Sequence, residues 1–537
     1  MPPPRSAPPP VSLPFLVAAA ALFFGICVQA EDGYDVHTWN VTYGDISPLG
    51  VSLKGILING LFPGPEIRNV TNTNVIINVY NNLDEGFLLS WNGVINRGNP
   101  YQDGMSGTNC PIPPGQNFTY KLQLKDQIGT FFYFPSLAFH KAAGGFGPIA
   151  ILNRSIIPLP FPPPADEFTF LIGDWYNATH SALKGILDEG GIVYGGQNKS
   201  LLPPPDAILI NGNGPRGLNN DSGWNFTLEA GKTYRLRISN VGLESSLNFR
   251  IQGHAMTLVE VEGTYTQQKV LSSLDVHVGQ SYSVLVTADQ TPKAYHVVVS
   301  SRFSRSNLTT TATLRYSGTD PSAAPVGPIP EAPPALDINS AMASSLNDIR
   351  TITLANSAGP VAGKLRYAVN GVSYVGPYDG TPLQLADEDG ILNVFLPGNM
   401  PNDSAIVGPI RPDTAVMNAD YRDFFEVVFQ NDEDTMQTWH FNGITFFVVG
   451  MGANKWTNAS RNSYNLNDAI SRSTTQPLIN LSCPENSSSS NGDRRQLRFR
   501  SSADCFPRVS RGGIHLHRER CCFVCAGCWS VWEGCCG

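Results

Sequence analysis

The chain has 537 residues, 42% of them hydrophobic and only 15% charged, with a formal net charge of -8. At roughly 100–200 residues per domain, this suffices for about three domains with well-supplied cores. An acidic chain without a basic body is a poor match for phosphate contacts, which need clustered Lys and Arg, so nucleic acid is excluded from the expected partners.

The N-terminus reads as a secretory signal over residues 1–30. Arg5 supplies a positive start, Val11 to Val28 form an apolar run broken by Pro14, and Val28-Gln29-Ala30 fits a cleavage site. The uninterrupted apolar stretch is short for the ~20 residues of a bilayer span, so a cleaved signal is preferred to a membrane anchor. No later segment is apolar enough to span a membrane, and no transmembrane segment is expected. Acceptor patterns for N-glycans follow at Asn40, Asn69, Asn117, Asn153, Asn177, Asn225, Asn307 and Asn458.

The body reads as strands and turns. Tyr234 to Ile238 alternates apolar and polar residues, as a half-buried strand does. Ser283 to Val286, His296 to Val299, Ile352 to Leu354 and Phe424 to Phe429 are further β-branched or aromatic runs, separated by Gly, Asn and Pro clusters. No long stretch keeps a helical period. Proline is unwelcome in central strands, so Pro158 to Pro164 and Ser317 to Pro334 read as linkers. They divide the mature chain into domains over 31–157, 165–317 and 335–475, with a Pro-rich linker at 318–334. Cys110 then stands alone until Cys483, so the body is not stapled by disulfides. From 476 to 537 the composition turns Ser-, Arg- and Cys-rich with no sustained strand pattern, and this stretch reads as an unstructured, divergent tail.

Several motifs converge on one family. Gly44-Asp45-Ile46-Ser47-Pro48-Leu49-Gly50, Ile58-Asn59-Gly60-Leu61-Phe62-Pro63-Gly64-Pro65, Trp91-Asn92-Gly93, and Cys110-Pro111-Ile112-Pro113-Pro114-Gly115 lie in the first segment. Gly173-Asp174-Trp175-Tyr176 and Gly253-His254-Ala255-Met256 lie in the second, and Trp439-His440-Phe441-Asn442-Gly443 in the third. Together they resemble plant multicopper oxidases of the laccase and ascorbate-oxidase type. More narrowly, they resemble the pollen ascorbate-oxidase homologues and the monocopper-oxidase-like "Skewed" proteins. The resemblance spans residues 33–475. It implies an all-β chain of cupredoxin-like Greek-key β-sandwich domains, the third incomplete because its closing strands are expected beyond residue 475. A sheet left without them would expose an unpaired edge.

The family uses copper-dependent oxidoreductase chemistry. A Cys thiolate and imidazoles hold a type 1 copper, and His-x-His pairs hold a trinuclear cluster. On a strand, i and i+2 project from the same face, which lets one edge present two ligands. Here the first pair aligns with Ser90 and Asn92, and the second with Phe134 and Ser136. In the third segment Gln437, His440 and Asn442 occupy ligand positions, and only His440 remains an imidazole. The final motif with the type 1 Cys is absent. The resemblance therefore implies at most one weakly held copper, at His440, and the ligand count argues for none and against oxidase turnover.

Elsewhere, His254 reads as a satisfied interior histidine, His140 as a rim or packing residue, and His37, His180, His277 and His296 as isolated. Trp91, Phe131, Phe132, Tyr133, Phe134, Phe139 and Trp439 are expected to fill the space of the lost coppers, with an aromatic glycan-binding groove as the alternative. In the tail, Cys522, Cys525 and Cys528 have chelating spacing downstream of His515 and His517. That stretch reads as an aberrant splice or frame product, with a zinc module or disulfides as alternatives. The resemblance also implies a C-terminal disulfide partner for Cys110, which the tail puts in doubt. The functional expectation is a secreted apoplastic or cell-wall glycoprotein without turnover. Cell-wall components are its expected partners, and directional cell expansion or pollen-tube growth is the role the resemblance implies. The alternatives are a reduced-site copper oxidoreductase at His440 and a wall-polysaccharide binding module.

Overall fold

The computed structural model describes residues 34–97, 99, 102–106, 109–193, 200–216, 218–304, 306–325, 327–333, 350–374, 396–397, 409–413, 415–416, 424–431, 437–452, 456–466, 468–476 and 495–502. The expected signal segment and the Cys-rich tail motifs lie outside the described residues.

In the first unit, one sheet runs in the order Leu53–Ile58, Tyr34–Ile46, Asn74–Asn81, Asn117–Gln123. The facing sheet runs Ile67–Val70, Gly147–Leu152, Gly129–Pro135, Leu89–Asn92. Trp39, Val75, Ile77, Val79, Tyr120, Phe131 and Tyr133 point into the core between them. Trp39 and Tyr133 rings lie 4.7 Å apart at its centre. Strand parity explains this core, since alternate residues of each strand face inward.

The second unit pairs a six-stranded sheet with a five-stranded one around a core that includes Phe170, Leu236, Phe249, Val284 and Val297. A short helix, His180–Asp188, departs from the strand pattern, and Thr179 caps it by accepting the Ala182 N–H. It buries Leu183 and Leu187 against Phe139 and Tyr176, so nine residues suffice because the apolar stripe has a ready partner.

The strand Thr233–Asn240 departs from the half-buried expectation, because both its faces are buried. Arg237 points at the first unit instead of solvent, and Arg235 donates to Glu260 within the second. Arg237 donates to the Gly129 carbonyl and the Thr130 hydroxyl, and Glu167 neutralises it at 2.9 Å. Glu260, fully buried, accepts from Thr130, Ser283 and Arg235. Buried charges persist only when paired and hydrogen-bonded, and this network meets that condition across the boundary of the two units.

The third unit has a smaller core of Ile352, Leu354, Val427, Phe429, Trp439 and Phe446. Its main sheet orders Arg411–Asp413, Val372–Tyr374, Lys364–Val369, Arg350–Val361, Phe424–Asn431, Arg495–Ser502, Phe446–Gly452 and Ile470–Arg472. Arg495–Ser502, inside the stretch expected to lack strands, pairs with Phe424–Asn431 on one side and Phe446–Gly452 on the other. The local sequence permits this, because Leu497 and Phe499 alternate with polar residues. Both proline-rich segments lie against the second unit. Phe161 is buried with Val259 and Leu285, and Arg250 donates to the Pro330 carbonyl at 2.7 Å.

Candidate functional site

His440 lies on the two-residue strand Trp439–His440, paired with Thr474–Thr475. Its ring is buried. Nδ1 stands 2.7 Å from the Thr474 hydroxyl and Nε2 stands 2.8 Å from the Asn442 side-chain oxygen. With Nε2–H donating to the amide oxygen, Nδ1 accepts from the hydroxyl, so both nitrogens are engaged. Burial pushes its pKa down to about 4, and the Lys141 ammonium opposes protonation further.

The other ligand positions hold no imidazole. Ser90 and Asn92 are buried on Leu89–Asn92, opposite Phe134 and Phe132 of the neighbouring strand. The Ser136 hydroxyl donates to the Gly104 carbonyl. Gly104 sits at φ 75° with its Cα pressed on the Leu89 carbonyl, where an added Cβ would come within 1.6 Å, so the approach demands glycine. Gln437 and Asn442 are half-buried. A hydroxyl, amides and a phenyl ring are poor copper donors, and the remaining imidazole is satisfied by protein partners. These residues do not fit the family's copper cluster.

The aromatics do not fill one space, which corrects the sequence expectation. Trp91, Phe131 and Tyr133 belong to the first core, and Trp439 to the third. Phe132 and Phe134, one residue out of phase, pack with Phe146 against Leu171 and Val241 of the second unit. Phe139 joins Leu183, Leu243 and Leu365. The two-residue period of Gly129–Pro135 sorts neighbouring rings onto opposite faces. Trp91 and Trp439 are 2% and 3% exposed, so neither offers a stacking platform to a glycan.

A lysine lies beside these rings. Lys141 is 5% exposed, with its ammonium 4.7 Å from the Phe134 ring centre and 5.6 Å from that of Phe132. Such cation–π geometry favours a buried cation. The turn that delivers it runs through Ala138 and Phe139 at φ 49° and 60°, a left-handed conformation unusual for side chains of this kind. Lys141 carries no sequence signal beyond its place after His140.

His254 is a satisfied interior histidine, held by the Gln252 carbonyl at 2.7 Å and the Tyr316 hydroxyl at 2.8 Å. His277 bonds Ser246 at 2.7 Å, and burial lowers its pKa to about 3. His37 pairs with Asp35 at 2.7 Å. His140 and His180, expected as a packing residue and an isolated one, instead meet at Glu85. Sequence spacing could not show this, because the chain folds back across two units to assemble it.

Among the acceptor asparagines, Asn40, Asn117, Asn177, Asn225, Asn307 and Asn458 are exposed. Asn69 is half-buried and donates to Asp35 at 2.6 Å. The Asn153 amide nitrogen is enclosed, while its oxygen accepts from Tyr265 at 2.7 Å. Cys110 is exposed, and the later cysteines lie outside the described residues. No helix among the described residues is long and apolar enough to cross a membrane.

Three family models, each described as multicopper oxidase, match residues 40–156, 166–319 and 381–477. An L-ascorbate oxidase homolog of Brassica napus is 47% identical over 86% of this chain and 84% of its own length. The Arabidopsis thaliana monocopper oxidase-like protein SKU5 is 43% identical over 83% of this chain and 80% of its own. Among solved structures, the laccase of Botrytis aclada superimposes with a TM-score of 0.68 at 20% identity, covering 88% of this chain and 83% of that one. That likeness gives the cupredoxin-like fold to the sandwiches described above. With family models matching along most of its length and relatives above 40% identity over most of both chains, the chain belongs to the multicopper oxidase family.

Proposed function

We propose that the chain is a secreted, N-glycosylated multicopper-oxidase-like protein of the cell wall or apoplast that does not turn over as an oxidase. The observation that carries this reading is the state of His440. It is the remaining imidazole among the aligned ligand positions, and both its nitrogens are spent on Asn442 and Thr474. A single imidazole plus water binds copper weakly, and without a thiolate there is no entry point for electrons. Exposed acceptor asparagines support glycosylation. The resemblance to Skewed-type and pollen proteins supports a role in directional cell expansion or pollen-tube growth, with wall components as partners.

The test is copper content, visible absorbance and O₂ uptake of the secreted protein after copper loading, beside His440→Ala. The reading expects no blue absorbance, no O₂ uptake, and copper content unchanged by the substitution. One copper lost with His440→Ala and accompanied by O₂ uptake would establish a reduced-site oxidase instead.

A further inference from the structure

We propose that Glu85, His140 and His180 bind a divalent transition-metal ion of the zinc or copper class that clips the first domain to the second. Glu85 lies between the strands Asn74–Asn81 and Leu89–Asn92, and His140 opens the turn His140–Ala143. His180 opens the helix His180–Asp188 of the second unit. One potential ligand atom from each residue lies within 4.8 Å of the others. None of them belongs to the copper-ligand positions of the fold, so the inference stands apart from the reading of His440.

The geometry is close to that of a bound ion. The Glu85 Oε1 stands 2.8 Å from His180 Nε2 and 3.3 Å from His140 Nε2. Metal–ligand distances of about 2.0–2.2 Å place neighbouring tetrahedral ligands roughly 3.3 Å apart. The two imidazoles meet edge to face, with ring centres 4.9 Å apart. Phe87 stacks on His140 and Tyr43 on His180, which fixes both ring planes.

The second observation is a buried imidazole that is poorly served by its surroundings. His140 is 0% exposed, and among the described residues neither of its nitrogens has an aligned hydrogen bond. Its 3.3 Å approach to Glu85 is close enough for attraction but poorly aimed for a bond. A buried, unsatisfied imidazole is costly, and an ion between Nε2 and the carboxylate relieves that cost at Nε2. The carboxylate is held by the Tyr43 hydroxyl, as second-shell donors hold metal-binding carboxylates. Lys54 lies over the Tyr43 ring, 3.6 Å from its centre. The Glu85 side chain is 38% exposed, which leaves a route for the ion and a coordination position for water. Two imidazoles and one carboxylate suit zinc or copper better than calcium or magnesium, whose sites are built from oxygen.

The experiment uses the full secreted chain, freed of metal by chelation and titrated with Zn(II) by calorimetry, then with Co(II) by visible spectroscopy. One equivalent should bind, raise the melting temperature, and give a Co(II) spectrum of nitrogen and oxygen ligands without thiolate charge transfer. His180→Ala and Glu85→Gln should each weaken binding at least tenfold, whereas His440→Ala should leave it unchanged. His180 lies at a domain boundary, so His180→Ala serves even if the fully buried His140→Ala fails to fold. No saturable uptake would overturn the proposal and leave a hydrogen-bonded Glu–His cluster. Uptake that survives both substitutions, that disappears with His440→Ala, or that carries a thiolate signature would overturn it equally.

Discussion

The carboxylate of Glu262 accepts the backbone N–H of Thr474 at 2.8 Å, tying the second domain to the strand pair that holds His440. The same carboxylate accepts from the Ser473 N–H and from Arg472, each at 2.7 Å. Both charged partners are buried. Removing one charge of such a pair leaves the other uncompensated, at a cost of about 3–5 kcal/mol. Glu262→Gln should therefore lower the urea midpoint strongly, and Glu262→Gln with Arg472→Met should recover part of the loss. An unchanged midpoint in the single variant would refute the assignment.

Stability should depend on pH through His440. Its folded pKa of about 4 lies below the ordinary 6.5, chiefly because of burial. Between those values the unfolded chain binds more protons than the folded one, so stability rises with pH across the window. It is lost as pH falls towards 4, by at most ~1.4 kcal/mol per pH unit for this group. His277, lowered to about 3, extends the loss to more acid solution. His440→Gln should reduce the slope across the window by about one proton, measured by denaturant melts at stepped pH.

Lys141 contributes to that depression by electrostatic repulsion. Lys141→Met keeps the length and apolar stem and removes the charge. The His440 ring should then titrate at higher pH, read from its imidazole resonances by NMR. An identical titration midpoint would show that the ammonium is too well shielded to act.

Glycan occupancy should follow exposure of the amide nitrogen. Asn177→Gln and Asn307→Gln should each remove one glycan's mass from the secreted protein. Asn153→Gln should remove none, because the Asn153 nitrogen is enclosed. Intact-mass measurement before and after deglycosylation decides this, and a glycan mapped to Asn153 would contradict it.

What was legible in the sequence was whatever depended on local pattern. Runs such as Ser283 to Val286 and Phe424 to Phe429 fall inside strands, because β-branched and aromatic residues suit a pleated, packed surface. That Ser90, Asn92, Phe134, Ser136 and Asn442 offer no imidazole needs residue identity alone. What required the fold was the direction each side chain takes. Arg237 reads as solvent-facing because alternation cannot reveal that another domain covers it. Phe131 and Phe132 are adjacent in sequence yet serve different cores. His140 and His180 meet at Glu85 because turn, helix and loop converge, and no spacing rule encodes that.

The strand Gly129–Pro135 has a consequence for any attempt to restore oxidase chemistry. Phe134, which the family resemblance aligns with a ligand position, is mortar between the first two domains, packed on Leu171 and Val241. Placing histidine there would put a polar ring into an apolar joint, where a group without a hydrogen-bond partner is costly. Histidine at 134 therefore has to be accompanied by repacking of Leu171 and Val241 if the joint is to hold.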